Sequence, residues 1–300
     1  MKVSVQIVTC MALLGAATPV LATSLGVDNR SNVSGFQELS GVGSNNDPTP
    51  LSLTTVKTNP DGRSAVSQTG IRFGLAQVAA SASAVTGGGG AGASAKGTWT
   101  DFLTVNTPGA GNGILTVRLT LGADIIQPTR LGSINTINFD HLVFVSPIGG
   151  LIGSLNTYTY QYTFQGNAGT VFSNYYQENL NGAFNMSNFA FQPSISRTVD
   201  LRIPFVSGQA FRIESSTECR VSSIGDVPGC DGSSGSYWAG VRSVTTSGGA
   251  ALAGWSLSST SGVDYSGSLG PGVPEPASWL MLIAGFGLVG AARRRQGLAA

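Results

Sequence analysis

Charged side chains and histidine are scarce in this sequence of 300 residues. Only 10% of the residues are Asp, Glu, Lys or Arg, and His141 is the single histidine. Zinc sites built on two or more histidines are therefore excluded within the chain. No cluster of basic residues in the long central region marks a surface for nucleic acid, so a nucleic-acid partner is not predicted.

The net charge is also small, and its sign depends on the two ends of the chain. The formal charge is +1, with 16 basic and 15 acidic residues. Four of the basic residues are Lys2 and Arg293 to Arg295, and one of the acidic residues is Glu275. The long central region therefore carries a charge of about −2, which favours neither a polyanionic nor a polycationic partner.

A helical repeat is missing from the central region, where apolar residues alternate with polar ones instead. Alternation with a period of two is typical of β-strands with one buried face. Three segments show it most clearly, with apolar residues at Leu115, Val117, Leu119 and Leu121, at Tyr158, Tyr160, Tyr162 and Phe164, and at Val199, Leu201, Ile203 and Phe205. Pro204 in the third segment predicts an edge strand or a strand end, because proline cannot donate to a ladder.

Many short strands joined by Gly-rich turns predict an all-β fold. The expected architecture is a sandwich of two antiparallel sheets, of the jelly-roll or immunoglobulin-like kind, over residues 23–258. Within it, residues 24–60 are polar and predict an edge strand with a loose loop. Gly248-Gly249 predicts a hairpin between strands at Tyr237–Thr245 and Ala253–Ser258.

One segment of the central region is ambiguous. Ile71–Val85 alternates only weakly, and it predicts a strand that is followed by a flexible tip at Gly87–Gly90 and a second strand at Thr98–Val105. Alanine-rich segments also favour helix, so a helix over Leu75–Ala84 stays open as the alternative.

The first 22 residues have the order of a secretory signal peptide. Lys2 supplies positive charge, an apolar stretch follows, and small residues precede Thr23. This order predicts export through the Sec pathway, with cleavage by signal peptidase between Ala22 and Thr23. The alternative of a lipoprotein anchored through Cys10 is rejected, because that cysteine lies inside the apolar stretch.

The C-terminal end combines three features in order, after a Ser/Gly-rich segment at 259–272 that predicts a flexible linker. Pro274-Glu275-Pro276 holds the backbone extended. The uncharged apolar run at 279–292 predicts a short transmembrane helix, and Arg293, Arg294 and Arg295 follow it at once. By the positive-inside rule the arginines face the cytoplasm and the main domain lies outside the inner membrane.

These C-terminal residues resemble the PEP-CTERM sorting domain of Gram-negative bacteria. The resemblance rests on Pro274-Glu275-Pro276, Trp279, Gly285-Phe286-Gly287, Gly290 and the three arginines. It implies that residues 273–296 are a sorting signal for exosortase, a membrane enzyme that would cut near Pro-Glu-Pro on the periplasmic side. It also implies a final place in the cell envelope or outside the cell, in organisms that make exopolysaccharide.

Two of the three cysteines, Cys219 and Cys230, lie outside the leader. In an exported protein an even number of cysteines predicts a disulfide. A zinc site is the competing interpretation, but no second cysteine pair and no nearby histidine supports it.

No residue is predicted to be catalytic or to bind a cofactor or a metal. Asp140 precedes His141, but neighbouring strand residues point to opposite faces, so a structural histidine is predicted. Gly87–Gly92 fits a dinucleotide-binding pattern only formally, because it lies in no βαβ unit. Asp226 and Asp231 could bind calcium together with backbone carbonyls, but a solvated loop is the preferred interpretation.

These observations predict a non-enzymatic protein with a structural or adhesive role in exopolysaccharide or biofilm. A polysaccharide-binding module is the first alternative, because Tyr158, Tyr160 and Tyr162 on one strand face could stack on sugar rings. The preferred interpretation, however, is that these tyrosines form the sheet core. A carbohydrate-active enzyme is the second alternative, since two carboxylates can hydrolyse a glycosidic bond without histidine.

Overall fold

All regular structure in the described part of the computed structural model is β, which confirms the predicted class. The described residues are 22–33, 39–46, 49–84, 89–109, 111–126, 128–129, 133–147, 157–167, 171–188 and 193–270. The strands are β1 (Ser24–Val33), β2 (Leu39–Asn45), β3 (Leu51–Thr58), β4 (Ser64–Arg72), β5 (Leu75–Ser83), β6 (Ala91–Asn106), β7 (Asn112–Ile126), β8 (Ile134–Pro147), β9 (Thr157–Gly166), β10 (Val171–Leu180), β11 (Ala183–Asn188), β12 (Ser194–Val206), β13 (Ala210–Ile224), β14 (Gly229–Thr246) and β15 (Ser256–Ser259).

The strands form two antiparallel sheets that pack face to face. The nine-stranded sheet has the order β11-β10-β9-β8-β13-β6-β1-β2, and β15 pairs with β6 outside this path. The six-stranded sheet has the order β12-β7-β14-β5-β4-β3. Strands β1 and β6 of the larger sheet lie over β3, β4 and β5 of the smaller one. The architecture is thus the two-sheet sandwich that the alternating sequence predicts.

The alternating residues of the sequence form the core between the sheets. In β7 the residues Leu115, Val117, Leu119 and Leu121 are buried, and in β9 the residues Tyr158, Tyr160, Tyr162 and Phe164 are buried. Strand β12 lies at the edge of the six-stranded sheet, as Pro204 predicts. Its apolar residues still face inward, because removal of apolar surface from water drives the packing of both sheets.

The alanine-rich segment forms a strand, so the helix considered for Leu75–Ala84 is wrong. Strand β5 pairs with β4 through a tight turn at Phe73-Gly74, where Gly74 has a φ of 76°. Most of its buried side chains are alanines. They face a row of buried alanines on β6, namely Ala91, Ala93 and Ala95. Small side chains on both faces let the sheets approach closely here. Residues 85–88, with Gly87 and Gly88 of the predicted tip, lie outside the described residues.

The polar N-terminal segment contributes three strands, which corrects the prediction of an edge strand and a loose loop for 24–60. Strand β1 lies inside the sheet, between β6 and β2. Two of its inward residues, Asn29 and Ser31, are polar and buried between the apolar Val27 and Val33. They are bonded to the facing sheet, since Asn29 Nδ2 donates to Leu53 O at 2.7 Å and Thr69 Oγ1 donates to Asn29 Oδ1 at 2.5 Å. Buried polar groups are tolerated when they are bonded in this way, and their polarity conceals the strand in the sequence.

The hairpin predicted at Gly248-Gly249 is confirmed at its turn, but its second strand pairs elsewhere. A turn is present, because Thr246 N donates to Ala250 O at 2.8 Å, and a single bridge joins Thr245 and Ala251. The chain then leaves the six-stranded sheet, and β15 pairs with β6 of the other sheet. The turn therefore opens a crossover between sheets.

Residues 259–270, which we call the C-terminal strap, pack against the sandwich and do not form the flexible linker that their composition predicts. Tyr265 is 1% exposed. The centroid of its ring lies 6.0 Å from that of Trp99 in one sheet and 5.1 Å from that of Trp238 in the other. Trp238 Nε1 donates to Tyr265 O at 2.7 Å. One large ring anchors a segment whose other residues are mostly small and polar.

Candidate functional site

A row of hydrogen-bonding side chains crosses the outer face of the nine-stranded sheet. The strand register places Lys96 of β6 opposite Glu218 of β13, and Glu218 opposite Asp140 of β8. It continues with Gln161 of β9 opposite Asp140, and Gln177 of β10 opposite Gln161. Because strand neighbours alternate between faces and each flanking core residue is buried, these five side chains lie on the face away from the core. We call this set the transverse row.

A shallow groove follows the transverse row. It holds about 380 Å³, and Ser216, Thr159 and Leu142 add to its lining beside the row itself. The groove is thus built from five adjacent strands of one sheet, each of which contributes one or two side chains. A site of this kind is fixed by the register of the whole sheet.

Two carboxylates, Glu218 and Asp140, lie side by side at the centre of the row. Glu218 is already engaged: Arg220 Nη2 donates to Oε2 at 2.8 Å, Arg220 Nε donates to Oε1, and Ser94 Oγ donates to Oε1 at 3.0 Å. Burial raises the pKa of Asp140, and Glu218 raises it further, while Arg220 and Gln161 act in the opposite direction. Oδ1 of Asp140 is buried and has no hydrogen-bond partner. The row therefore contains an unused acceptor at its centre.

His141 lies on the opposite face from Asp140, in the core, which agrees with its prediction as a structural residue. Its side chain is buried, and Nδ1 lies 3.0 Å from Thr217 Oγ1, which lies 2.6 Å from Ser236 Oγ. Burial lowers the pKa of His141 to about 4. The imidazole is therefore neutral at physiological pH, and Asp140 does not orient it.

The tyrosine row of β9 belongs to the core, so its interpretation as a sugar-stacking platform is wrong. Tyr158 is fully buried and its hydroxyl donates to Glu178 at 3.0 Å. Tyr160 stacks on Tyr176 with ring centroids 6.0 Å apart, and the Arg197 guanidinium lies 5.7 Å and 5.4 Å from the two rings. The tyrosines close one end of the sandwich through ring stacking and a cation–π contact.

Cys219 and Cys230 form a disulfide, which confirms the predicted pairing over the zinc interpretation. Cys219 lies on β13 and Cys230 on β14, so the bond joins the two sheets. It closes a loop with a sequence separation of 11, for which the chain-entropy estimate gives a stabilisation of about 3 kcal/mol.

Asp226 and Asp231 do not form a shared site. Asp226 is 2% exposed and caps the turn after β13, where it accepts a hydrogen bond from Val227 N at 2.8 Å and lies 3.3 Å from Thr129 Oγ1. Asp231 is exposed on the outer face of the six-stranded sheet. The solvated-loop interpretation is therefore wrong for Asp226. In the described ranges no three His, Cys, Asp or Glu side chains are grouped to hold a metal ion.

The residues predicted for sorting lie outside the described part of the chain. This holds for Pro274, Glu275 and Pro276, for Arg293, Arg294 and Arg295, and for the predicted transmembrane helix at 279–292. Of the predicted leader only Ala22 is described, and Thr23 Oγ1 beyond the predicted cleavage point donates to Asn46 O at 3.1 Å. Among the residues described, no helix is long and apolar enough to cross a membrane.

The C-terminal strap ends where the sorting residues begin. Arg72 Nη2 donates to Leu269 O at 3.2 Å and to Gly270 O at 3.0 Å. Leu269 N donates to Trp238 O at 2.7 Å. The folded domain therefore holds the chain as far as Gly270, shortly before the predicted sorting signal at 273–296.

Sequence reasoning missed the transverse row. Each member stands alone in its own strand, between apolar neighbours that alternate with it. The alternation shows that Glu218, Asp140 and Gln161 face away from the core, but only the register shows that they are adjacent. The single available signal was that outward positions of these strands carry carboxylates and amides as well as the more usual Thr and Ser.

Comparisons with known proteins bear on the C-terminal end alone. The family described as the PEP-CTERM protein-sorting motif matches residues 272–296. No curated protein and no solved structure matches the chain. The residues that resemble this motif in the sequence are thereby confirmed as a sorting motif, and the motif supports export and processing by exosortase.

Proposed function

We propose that this chain, an exported protein with a PEP-CTERM sorting motif, is a non-enzymatic structural or adhesive component of the cell envelope or extracellular matrix. The motif at 272–296 carries the proposal. It begins two residues after Gly270, the residue that Arg72 holds against the sandwich. Because the β-domain ends so close to the sorting motif, it can be transferred to the envelope or matrix already folded.

Delivery follows from the order of the signals. The leader at 1–22 directs the chain to the Sec pathway, and signal peptidase cuts between Ala22 and Thr23. The helix at 279–292 then holds the protein in the inner membrane, with the sandwich outside and the three arginines in the cytoplasm. Exosortase acts near Pro274-Glu275-Pro276 and passes the sandwich to the envelope or the extracellular space.

A non-enzymatic role is supported by the state of the reactive side chains. The single histidine is buried and neutral, with its ring nitrogen next to a threonine hydroxyl. Cys219 and Cys230 are bonded to each other. Neither a free thiol nor an exposed imidazole is therefore offered by the described residues as a nucleophile or base.

One observation favours the carbohydrate-active enzyme as a second candidate. Asp140 and Glu218 are cross-strand neighbours in a groove, and burial raises the pKa of Asp140 as a general acid requires. Glu218, however, is bound by Arg220 and Ser94, so its carboxylate is not free to act as nucleophile or base. The non-enzymatic proposal is therefore preferred.

The sorting step is tested by replacing the acid of the motif. In the native host, tagged Glu275→Gln should stay in the inner-membrane fraction at its unprocessed mass. Glu214→Gln, which makes the same charge change on the outer face of β13, serves as the matched control and should fractionate like the wild type. Normal processing of the Glu275 variant would contradict sorting through this motif.

The structural role is tested by where the released protein stays. The wild type should remain with the extracellular polysaccharide fraction after washing, and a strain without the gene should make a matrix that disperses more easily. Full recovery of the protein in the washed-off soluble fraction would remove the structural or adhesive role and leave export intact.

A further inference from the structure

We propose that the transverse row, Lys96, Glu218, Asp140, Gln161 and Gln177, binds an uncharged, hydroxyl-rich polysaccharide whose chain lies across the strands. The inference rests on the proposed envelope or matrix function, and it adds a site and a class of ligand to it. The groove along the row, its repeated spacing and its hydrogen-bonding side chains carry the argument.

The spacing of the row suits a polymer. Successive members lie on adjacent antiparallel strands, which are about 4.8 Å apart. This distance is close to the length of one hexose unit in an extended glycan, so each unit would meet one strand. Four such steps separate Lys96 on β6 from Gln177 on β10. An oligosaccharide of several units would therefore contact every member of the row.

The chemistry of the row matches hydroxyl groups, which both donate and accept hydrogen bonds. Carboxylates only accept, an ammonium only donates, and a glutamine amide does both. Asp140 Oδ1 is closed to solvent, so the hydroxyl groups of a ligand would meet the amides of Gln161 and Gln177 and the ammonium of Lys96, which line the groove.

The charge of the groove favours a neutral ligand over an ionic one. Lys96 and the neighbouring Arg220 offset Glu218 and Asp140, and the other two members of the row are amides. A polyanion such as nucleic acid or an acidic glycan would meet the two carboxylates at the centre. A peptide would be expected to add to a sheet edge, where backbone groups are free, instead of crossing a sheet face.

Exposed apolar side chains lie where the row reaches the sheet edge. Met186 of β11 is opposite Gln177 and is 60% exposed, and Phe184 on the same strand face is 59% exposed. Leu142, at the groove wall, is 38% exposed. The C–H faces of sugar rings pack on side chains of this kind, so the surface offers both kinds of contact that a glycan needs.

The experiment compares two double variants of the full domain, residues 23–270. Gln161→Ala/Gln177→Ala removes two amides of the row. Gln68→Ala/Gln77→Ala removes two amides from the outer face of the six-stranded sheet, where they line a separate groove, and is the matched control. Thermal unfolding of both variants checks that the fold is retained.

Binding is measured by affinity electrophoresis in hydroxyethylcellulose, laminarin, galactomannan and dextran, and by calorimetry with cellohexaose and laminarihexaose. Alginate serves as the anionic comparison. We expect retardation of the wild type by at least one neutral glycan, binding roughly tenfold weaker for the Gln161/Gln177 variant, and no change for the control.

Three results would overturn the proposal: no retardation by any neutral glycan of the set, equal weakening in the two double variants, or tighter binding of alginate. In each case wild-type protein that still stays with the washed matrix would leave the proposed function standing. Release of reducing ends from a bound glycan would support the groove as the binding site and overturn the non-enzymatic role.

Discussion

His141 shows how one side chain can be read correctly from its strand position. The alternating pattern around it places it inward and Asp140 outward, and the structure agrees. Its neutrality has a thermodynamic consequence, because the unfolded chain binds a proton near the ordinary pKa of 6.5 while the folded chain resists protonation down to a pKa of about 4. Unfolding is then favoured by acid over this interval.

We expect His141→Asn to flatten the pH dependence of stability between pH 6.5 and pH 4. The wild type has the full contribution of this residue above pH 6.5, loses it as the pH falls towards 4, and changes no further below that. The loss corresponds to about 3 kcal/mol for the interval. Urea denaturation of both proteins at several pH values measures it. Parallel curves for the two proteins would show that His141 is not the titrating group.

Asp140 changes the pH dependence of stability in the opposite direction from His141, and its contribution is therefore measured separately. Its pKa is raised, so the folded state binds a proton more readily than the unfolded chain and is stabilised as the pH falls through that range. Carrying Asp140→Asn through the same series separates the two residues. Asp61, Asp200 and Asp264 have lowered pKa values. Their ionised forms stabilise the folded state, and this contribution is lost only below about pH 4.

Among single residues, those with large apolar side chains were predicted best. Tyr158, Tyr160 and Tyr162 were assigned correctly to one face, and the preferred interpretation of that face as sheet core is confirmed. The contact with Arg197 of β12 was not predictable, because β12 lies in the other sheet and is distant in the sequence. The disulfide was predictable because two cysteines in an exported chain meet oxidising conditions, and no further residues supported a zinc site.

The strands were predictable where their inward residues are apolar and hidden where those residues are polar. Strands β7, β9 and β12 follow from alternation alone. Strand β1 does not, because the polar residues Asn29 and Ser31 interrupt its row of buried apolar residues and are bonded to partners on β3 and β4. A polar core layer has no signature in a single sequence, since the partners that make burial acceptable lie on other strands.

The C-terminal strap is an element whose contribution can be measured separately. A chain that ends at Gly270 should be as stable as a longer one, whereas a chain that ends at Ser258 should unfold at a temperature lower by about 10 °C. Loss of the Tyr265 ring between Trp99 and Trp238 is the main reason, since removal of a buried aromatic costs about 3–5 kcal/mol. Differential scanning calorimetry measures the shift.

A pair of point variants isolates the ring from the rest of the strap. Tyr265→Ala should lose most of the stability that the shorter chain loses. Tyr265→Phe keeps the ring and should lose much less. Equal stability of the Ala and Phe variants would mean that the strap is held by its backbone bonds alone.

The start of β1 and the C-terminal strap lie in the same region of the sandwich. Leu25, near the start of β1, pairs with Trp99, and the Trp99 ring faces Tyr265 of the strap. The sequence gives no hint of this arrangement, because it follows from the register of β1 on β6 and from the packing of the strap.

A circular permutant tests this arrangement. We expect a chain with a short Gly/Ser linker between Gly270 and Thr23, opened between Asn181 and Gly182 in the exposed β10–β11 turn, to fold. Opening between Thr217 and Glu218 in the central strand β13 is the control and should prevent folding. Circular dichroism and cooperative thermal unfolding distinguish the outcomes. If the first permutant also failed to fold, Thr23 and Gly270 would be too far apart to be joined by a short linker.

The hold of Arg72 on Leu269 and Gly270 has a mechanical consequence for a protein fixed by its C-terminal end. Tension on that end enters the domain at Gly270 and meets the few bonds of the strap one after another, as in a zipper. The two sheets, whose strands share long ladders, are joined by many more bonds than the strap. We therefore expect tension on the C-terminal end to detach the strap before the sheets separate.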